Sequence, residues 1–418
     1  MGGIAESLDR AEVTELLARL SPVDEKMRRE YPGAPSSRQP VHTCYVPAGA
    51  IGPDTVHDWG RQALAALDGH LPGPTELAAL LDLDPGTASA VHPRVRAKLE
   101  RAPVEDLRFD FEDGYGTPDD ETEDADADRT ARIAARWCAG GGGPQFFGPR
   151  VKSFDTPQLR ERSARTLDVF LTALLDEGGD LPDGLVITFP KVVDVAQVEV
   201  FAELLGLLEE RLGLPSGALR FEIQVETTQS VVDADGRFAL PGFLRAGAGR
   251  ISGLHFGTYD YTAACGLTAQ HQHLAHGACD FARNAMQVAA AGRGVLCSDG
   301  STNVLPVGDQ VEHGWRTHYR LVRRSLAHGF HQSWDLHPAQ LVTRYAAVFA
   351  EFREAAGPQG ERLAAYVGQS DSAVLDEPAT ARALAATFVR ALDSGATDAA
   401  EVQRTTGIDE DRLRSLAR

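Results

Sequence analysis

Eight short segments rich in β-branched and aromatic residues recur along the chain, and stretches with helical periodicity separate most of them. In the clearest helical stretches, 156–178 and 194–213, apolar residues recur three and four apart with charged residues opposite. Repeated strand–helix alternation predicts a (β/α)8 TIM barrel, and a doubly wound open sheet is the main rival. The eight segments cover residues 42–48, 107–113, 145–151, 184–191, 219–227, 251–260, 294–300 and 331–338.

We interpret each segment as apolar until its last residues, and in seven of the eight segments those last residues are ionisable. In a barrel these ends meet at the C-terminal face, where barrel enzymes carry out their chemistry. Polar loops alone would explain one or two such endings but not seven, so the pattern predicts a catalytic face. The residues are Glu112 with Asp113, Arg150, Lys191, Glu226, Asp260, Asp299 and His337.

The sequence on either side of the segments divides the chain further. We predict an N-terminal helical arm over 1–40, a catalytic barrel over 41–345 with an insertion at 49–106, and a helical segment over 346–418. The last segment is interpreted as a lid or a subunit contact. The acidic run at 119–128 is interpreted as a solvated loop and the start of a helix, where negative charge suits the helix dipole.

Composition excludes several classes of protein. The formal net charge of −19 argues against binding to nucleic acid or to an anionic membrane surface. No apolar run is long enough to span a membrane, and the acidic amphipathic N-terminus does not resemble a signal peptide. The five cysteines are scattered singly, which argues against a disulfide framework or a zinc ribbon. We therefore expect a cytoplasmic enzyme acting on a small molecule.

Two of the carboxylates are candidate metal ligands. Glu226 and Asp260 are expected to end adjacent strands, close enough to share a hard divalent ion such as Mg²⁺, or alternatively Mn²⁺. The competing interpretation is that each forms an ion pair with Arg150 or Lys191. Arg150 is suited to bind a substrate carboxylate or polarise a carbonyl. A metal ion and an arginine around one oxygen would stabilise an enolate.

The remaining ionisable residues are assigned supporting roles. Glu112 and Asp113 are expected to orient Arg150 and the water near the metal. Lys191 could form a Schiff base, but the neighbouring carboxylates favour a structural ion pair. His271, His273 and His276 have poor spacing for zinc and are interpreted as part of a loop that contacts substrate or a neighbouring subunit.

Several motifs resemble those of the citrate lyase beta-subunit and malyl-CoA lyase family, within the HpcH/HpaI aldolase group. The resemblance extends over about residues 42–350 in the same order, although each match is short. It rests on YVPA at 45–48, DFEDGYG at 110–116, FPK at 189–191, VETTQSV at 225–231, FGTYDYTAACG at 256–266, SDG at 298–300 and RRSLAHGFHQSWDLHPAQ at 323–340.

The resemblance implies a TIM barrel that binds Mg²⁺ through Glu226 and Asp260 and holds substrate with Arg150. It also implies a homo-oligomer, a trimer or a hexamer, with a C-terminal lid shared between subunits. The implied reaction is reversible aldol or Claisen cleavage of a hydroxy acid or its CoA thioester. The matched motifs give the candidate substrate-binding residues Arg150, Gly257, Thr258, Asp299, Trp334 and His337.

Two departures from the family pattern bear on coenzyme A. The opening strand lacks the family's basic residue, and Gln332-Ser333-Trp334 stands where the family usually has Gly-Lys-Trp. The hypothesis is therefore a Mg²⁺-dependent carbon–carbon lyase acting on an unesterified 2-oxo or hydroxy acid, with coenzyme A left open. The alternatives are a CoA-thioester enzyme of the same family and a non-catalytic barrel that serves as a scaffold.

Overall fold

The computed structural model describes residues 7–33, 38–368 and 377–417. Its eight strands form one parallel sheet in the order β7-β6-β5-β4-β3-β2-β1-β8, which confirms the predicted (β/α)8 barrel. The strands are His42–Pro47 (β1), Asp106–Asp110 (β2), Phe146–Arg150 (β3), Ile187–Phe189 (β4), Phe221–Val225 (β5), Ile251–Phe256 (β6), Leu296–Ser298 (β7) and Ser333–Asp335 (β8).

Two backbone hydrogen bonds join the edges of this sheet. The Asp299 N–H donates to the carbonyl of Gln332 at 2.8 Å, and the Trp334 N–H donates to the carbonyl of Gly300 at 3.3 Å. Both bonds connect the residues around β7 with those around β8. They bring the edges of the sheet together and nearly close the barrel.

The strands are shorter than the predicted segments, and this corrects the placement of Asp260. Strand β6 ends at Phe256, and a helix begins at Thr258, so Asp260 lies in the first helical turn and not at a strand end. Glu226, in contrast, directly follows the last residue of β5. The sequence reads as one run because Phe, Tyr and Thr continue across the boundary at Gly257.

Seventeen helices occupy the described part of the chain. Those over 55–101 fill the predicted insertion, and the long helix that begins at Gln340 continues past residue 346 to Gly368. They are Arg10–Ala18 (α1), Ser21–Glu30 (α2), Thr55–His70 (α3), Pro74–Leu81 (α4), Pro85–Arg101 (α5), Asp120–Gly140 (α6), Pro157–Gly178 (α7), Val195–Leu212 (α8), Thr228–Val231 (α9), Leu240–Ala246 (α10), Thr258–Ala264 (α11), Gly277–Ala290 (α12), Val311–Ala327 (α13), Gln340–Gly368 (α14), Pro378–Ser394 (α15), Ala399–Thr406 (α16) and Glu410–Leu416 (α17).

Short polar side chains begin several of the barrel helices. The Asp119 carboxylate accepts from the Thr122 N–H at 2.8 Å, and three acidic residues occupy the first turn of α6. Such a cap satisfies a backbone donor that the helix leaves unpaired, and the negative charge suits the N-terminus. The structure therefore places the acidic run at the start of a helix, as expected.

The C-terminal helices pack back onto their own chain. Glu401 on α16 accepts from Arg94 of α5 at 3.0 Å and from Arg353 of α14 at 2.9 Å. These bonds attach the end of the chain to the inserted helices, while its role as a lid or subunit contact stays a prediction. No helix in the described ranges is both long enough and apolar enough to cross a membrane.

The interior of the barrel is polar, which the sequence reading missed. On β2, Leu107 and Phe109 point outward, and Phe109 packs on the ring of Phe170 at 5.5 Å between centroids. Successive strand residues face opposite sides, so Asp106, Arg108 and Asp110 point inward. The segments are therefore not apolar until their last residues. The same two-residue spacing places the side chains at 222, 224 and 226 on the inner face of β5.

Glycine at position 148 is required for the contact between β3 and β4. A Cβ atom there would overlap the carbonyl group of Val186, which belongs to backbone and cannot move aside easily. We expect Gly148→Ala to lower the free energy of unfolding by about 1–3 kcal/mol or more. Gly140→Ala is the matched control, because open space surrounds that position and the change should stay within about 1 kcal/mol. Urea unfolding of both variants checks this, and equal stability would contradict it.

Candidate active site

Arg150 lies at the C-terminal end of β3, beside the end of β2. Its Nε and Nη2 atoms donate to the two carboxylate oxygens of Asp110, each at 2.7 Å, and the two residues are directly paired in the sheet. Asp110 also accepts from the backbone N–H groups of Glu112 and Gly114, at 2.9 and 3.0 Å. A bidentate pair of this kind fixes the plane of the guanidinium group. Arg150 is therefore rigidly oriented.

Asp110, and not Glu112 or Asp113, is the residue that orients Arg150 most directly. The Arg150 Nη1 atom lies 3.4 Å from a Glu112 oxygen and 3.7 Å from an Asp113 oxygen, which makes these weaker secondary contacts. Sequence reasoning missed Asp110 because it took the acidic pair at the end of the segment. The alternation of Asp106, Arg108 and Asp110 could have revealed it, because that spacing points all three side chains inward.

A pair of aromatic rings packs beside the guanidinium group, with Tyr45 in contact and Trp334 behind it. The Arg150 carbon Cζ lies 4.9 Å from the centroid of the Tyr45 ring, within the range of a cation–π contact. The ring of Trp334 packs on Tyr45 with 4.5 Å between centroids. The Tyr45 hydroxyl and the Trp334 Nε1 are buried and have no hydrogen-bond partner among the described residues. Two buried polar groups of this aromatic pair are therefore unpaired within the described part of the chain.

Lys191 joins the acidic residues of the cluster. Its ammonium group contacts Glu112 and lies 2.7 Å from Asp113 Oδ1 and 3.9 Å from Asp260 Oδ2. Although burial alone would lower it, the nearby carboxylates raise the pKa of Lys191 above its ordinary value. A Schiff-base lysine must lose its proton to act as a nucleophile, so this environment favours the ion-pair interpretation.

Glu226 is a buried carboxyl group with one strong backbone partner. Its side chain accepts from the Lys191 N–H at 2.9 Å, and the residue is 2% exposed. Burial raises the pKa of Glu226 to about 8, and the charge of Asp260 adds to the rise. Gly257 lies against it, because a Cβ atom at that position would overlap the Glu226 side chain. The structure thus gives Gly257 the role of leaving room for this carboxyl group.

Asp260 approaches the same space from helix α11 and is about half exposed, with 47% of its side chain accessible. Burial raises its pKa, and the nearby Asp113 carboxylate adds to the rise. Burial also raises the pKa of Glu112, whose side chain contacts Asp113. Carboxyl groups whose pKa is raised by burial and by neighbouring carboxylates favour a bound cation.

Asp299 lies apart from the cluster. Its carboxylate accepts from the Gly300 N–H at 2.9 Å and from the Ser325 hydroxyl at 2.6 Å, and it lies 3.2 Å from Arg283. The side chain is fully buried, and all of these contacts hold the loop after β7 to helices α12 and α13. The structure therefore shows a structural environment for Asp299, and its substrate-binding role stays a prediction.

Thr258 and His337 contribute less to the observed cluster. Thr258 begins α11, and its buried hydroxyl has no partner among the described residues. His337 is half-buried, and its Nδ1 accepts from the Ala339 N–H at 3.2 Å. In the histidine-rich loop, the His276 ring accepts from the Ala278 N–H at 3.1 Å and caps α12. That contact accounts for His276 without a metal.

No group of three His, Cys, Asp or Glu side chains in the described ranges is arranged to hold a metal ion by itself. Glu226 and Asp260 still fit the predicted ion, because Mg²⁺ usually takes one or two carboxylates and leaves the other positions to water and substrate. Their raised pKa values also fit, since a divalent cation would relieve the repulsion between them.

Two solved structures with the same fold are a citrate lyase and a malate synthase. A citrate lyase from Burkholderia xenovorans LB400 superposes with a TM-score of 0.56 and 17% identity, over 88% of this chain and 96% of that one. A Haloferax volcanii malate synthase, solved as a magnesium and glyoxylate complex, gives a TM-score of 0.50 and 15% identity over 90% and 97% of the two chains. At these identities the likeness concerns the fold.

A curated relative confirms the resemblance drawn from the motifs. A 120-residue stretch is 37% identical to the L-malyl-CoA/beta-methylmalyl-CoA lyase of Haloarcula marismortui. The match spans 28% of this chain and 31% of the length of that lyase. A model of one protein family, described as domain of unknown function DUF6986, matches residues 20–418, and the chain therefore belongs to the DUF6986 family.

Proposed function

We propose that the protein is a Mg²⁺-dependent carbon–carbon lyase that cleaves or forms a bond next to a carbonyl group. The observation that carries this proposal is the cluster at the C-terminal end of the barrel, where the guanidinium group of Arg150 faces the carboxyl groups of Glu226 and Asp260. The partial likeness to L-malyl-CoA lyase points to the same class of reaction. The proposed substrate is a small 2-oxo or hydroxy acid.

Arg150 would bind the substrate and stabilise the developing charge. Although burial alone would lower it, Asp110 raises the pKa of Arg150, so the group stays cationic at any physiological pH. Its orientation is set before substrate arrives, and a preorganised donor stabilises an enolate oxygen without further rearrangement. Glu226 and Asp260 would hold the Mg²⁺, which supplies a Lewis acid for the carbonyl group.

The remaining residues would shape the site around the substrate. Lys191 holds Glu112 and Asp113 in place and partly neutralises them. The buried Tyr45 hydroxyl and Trp334 Nε1 offer two polar contacts on the side of the arginine. The residue that moves the substrate proton is not assigned.

A CoA thioester is the second candidate substrate, and the position of Ser333 bears on it. Ser333 stands where the family has lysine, but its hydroxyl accepts from Arg344 of α14 and is 3% exposed, away from the barrel mouth. The absence of a lysine at this position therefore does not show that the mouth has lost a positive charge. The likeness to L-malyl-CoA lyase favours this alternative, and a non-catalytic scaffold is the third.

Proton exchange into D₂O distinguishes the two substrates. With Mg²⁺, pyruvate and acetyl-CoA in one tube, we expect loss of the pyruvate methyl signal by proton NMR, because an enolate exchanges its protons with solvent. Asp260→Asn should slow the exchange by at least about 10²-fold through loss of charge stabilisation, whereas the exposed Asp168→Asn should not. Loss of the acetyl signal alone would select the CoA alternative. Undiminished exchange in Asp260→Asn would contradict the metal assignment.

Mg²⁺ should stabilise the protein in a way that depends on pH and on Glu226. The pKa of Glu226 is near 4.5 in the unfolded chain and about 8 in the folded protein. Between these two pH values the folded state therefore binds more protons than the unfolded state. The stability contributed by the protonated group is therefore lost as pH rises through 8. Mg²⁺ at a hundredfold excess over its Kd should restore about 2.7 kcal/mol at pH 8.5 and less at pH 6, where it competes with the proton.

Melting temperatures with and without Mg²⁺ check this prediction. Glu226→Gln should melt higher than the unsubstituted protein at pH 8.5 without metal, and it should lose the response to Mg²⁺. Glu199→Gln, on the exposed face of α8, is the matched control and should keep both behaviours. A response to Mg²⁺ that is the same in all three proteins would rule out a metal site at Glu226.

The geometry of Arg150, and not only its charge, should matter. Arg150→Lys keeps a positive charge but cannot pair with both oxygens of Asp110. We expect the exchange rate with the competent substrate to fall by about 10²-fold, as for loss of an oriented oxyanion donor. Near-UV circular dichroism of the same variant checks the fold, and unchanged exchange would remove Arg150 from the reaction.

A further inference from the structure

A large cavity lies at the opposite end of the barrel from Glu226. It has a volume of about 890 Å³ and is bounded by the first residues of several strands and the turns that precede them. Its floor reaches the inward side chains of Arg108, Glu222 and His255. Pockets that bind organic ligands have volumes in the same range.

Arginine is concentrated around this cavity although the protein as a whole carries a charge of −19. Two of these arginines are engaged in buried ion pairs: Arg108 with Glu222 at 2.9 Å, and Arg38 with Glu105 at 2.5 Å. A third, Arg293, donates a hydrogen bond to the Tyr31 hydroxyl. The six arginines are Arg29, Arg38, Arg108, Arg220, Arg245 and Arg293.

Three arginines at the rim have no internal partner. Arg29, Arg220 and Arg245 are exposed, and none of their guanidinium groups makes a hydrogen bond or ion pair with another described residue. Glu30 and Asp183 also line the cavity, so the three guanidinium groups outnumber the carboxylates of the rim. A guanidinium fork matches the oxygens of a phosphate group.

The segment after α2 holds Arg29 in position over the barrel end. The Gly33 N–H donates to the carbonyl of Gly292 at 2.9 Å, and the Arg293 guanidinium donates to the Tyr31 hydroxyl at 2.9 Å. The same guanidinium group lies 4.6 Å from the centroid of the Tyr31 ring. These contacts anchor the N-terminal arm and close one side of the cavity.

The cavity has an apolar wall in addition to its arginine-rich rim, so it could contact an uncharged organic group as well as an anionic one. Apolar side chains line the part away from the rim, and they include Leu185, Leu244 and Ile251. Deeper in the cavity, the His255 Nε2 lies 2.9 Å from Glu222, while its buried Nδ1 has no hydrogen-bond partner among the described residues. A ligand with a charged end and a partly apolar body matches this arrangement.

We infer that this cavity binds an organic phosphate, with its phosphate groups on Arg29, Arg220 and Arg245 and its organic part against the apolar wall. A monocarboxylate would engage one arginine, whereas a phosphate chain can engage all three. The site is separate from the proposed catalytic cluster and needs no metal. The inference therefore does not depend on the proposed function.

Isothermal titration calorimetry in the presence of EDTA tests the site. EDTA removes divalent ions, so an anion cannot bind to a metal ion held by Glu226 and Asp260. The probes are ATP, 3-phosphoglycerate and inorganic pyrophosphate. We expect ATP to bind most tightly, since it has both a phosphate chain for the three arginines and an organic part that can cover the apolar wall. Pyrophosphate lacks the organic part, and 3-phosphoglycerate has a single phosphate on a small polar body, so both should bind more weakly. Arg220→Ala/Arg245→Ala should weaken binding by at least about tenfold in Kd, through loss of charge-assisted hydrogen bonds.

The matched control is Arg404→Ala/Arg412→Ala, which removes two exposed arginines from the C-terminal helices and gives the same change in net charge. It should bind as the unsubstituted protein does, and Asp260→Asn should too. The inference is wrong if none of the three probes binds, if both double variants lose affinity equally, or if Asp260→Asn abolishes binding. Pyrophosphate binding as tightly as ATP would overturn the assignment of an organic ligand.

Discussion

The guanidinium group of Arg108 on the barrel axis is the contact on which the interior depends. It donates to both oxygens of Glu222, at 3.0 and 2.9 Å, to the Thr188 hydroxyl at 2.8 Å, and to Asp106. These partners lie on β2, β4 and β5, so one side chain fixes the register of three strands. Burial alone would raise the pKa of Glu222, but Arg108 and His255 hold it well below its ordinary value. Removing one member of such a buried network usually costs about 3–5 kcal/mol, because it leaves a charge unpaired.

The network around Arg108 also determines which side chains point inward at the C-terminal ends of β2 and β5. Side chains two residues apart share a face, so the strand that carries Arg108 inward must also carry Asp110 inward, where it meets Arg150. On β5 the same rule connects Glu222 to Glu226. The buried amide of Gln224 between them has no partner on either atom among the described residues. A shift of register by one residue would remove the lower network and the catalytic cluster together.

The sequence was sufficient for the barrel but not for every position in the site. Seven of the eight strands lie within their predicted segments, and β2 begins only one residue earlier, at Asp106. The agreement is close because β-branched and aromatic runs between amphipathic helices leave few alternatives. Arg150 and Glu226 lie at or directly after strand ends, and could be placed from the pattern. Asp260 could not, because the boundary between strand and helix depends on Gly257 making room for Glu226, which is a tertiary contact. Asp110 was overlooked because the acidic pair that ends the segment, Glu112 and Asp113, was chosen in its place.

The balance of charge at the barrel mouth constrains what can bind there. Arg150 and Lys191 are the two cations of the cluster, and they face five carboxyl groups: Asp110, Glu112, Asp113, Glu226 and Asp260. An anionic substrate would meet net repulsion unless a cation or protons entered with it. Protonation of Glu226 removes one of these charges below pH 8, whereas a bound divalent ion offsets two of them. Since a substrate acid adds at least one negative charge of its own, the geometry favours binding of the acid together with its metal ion.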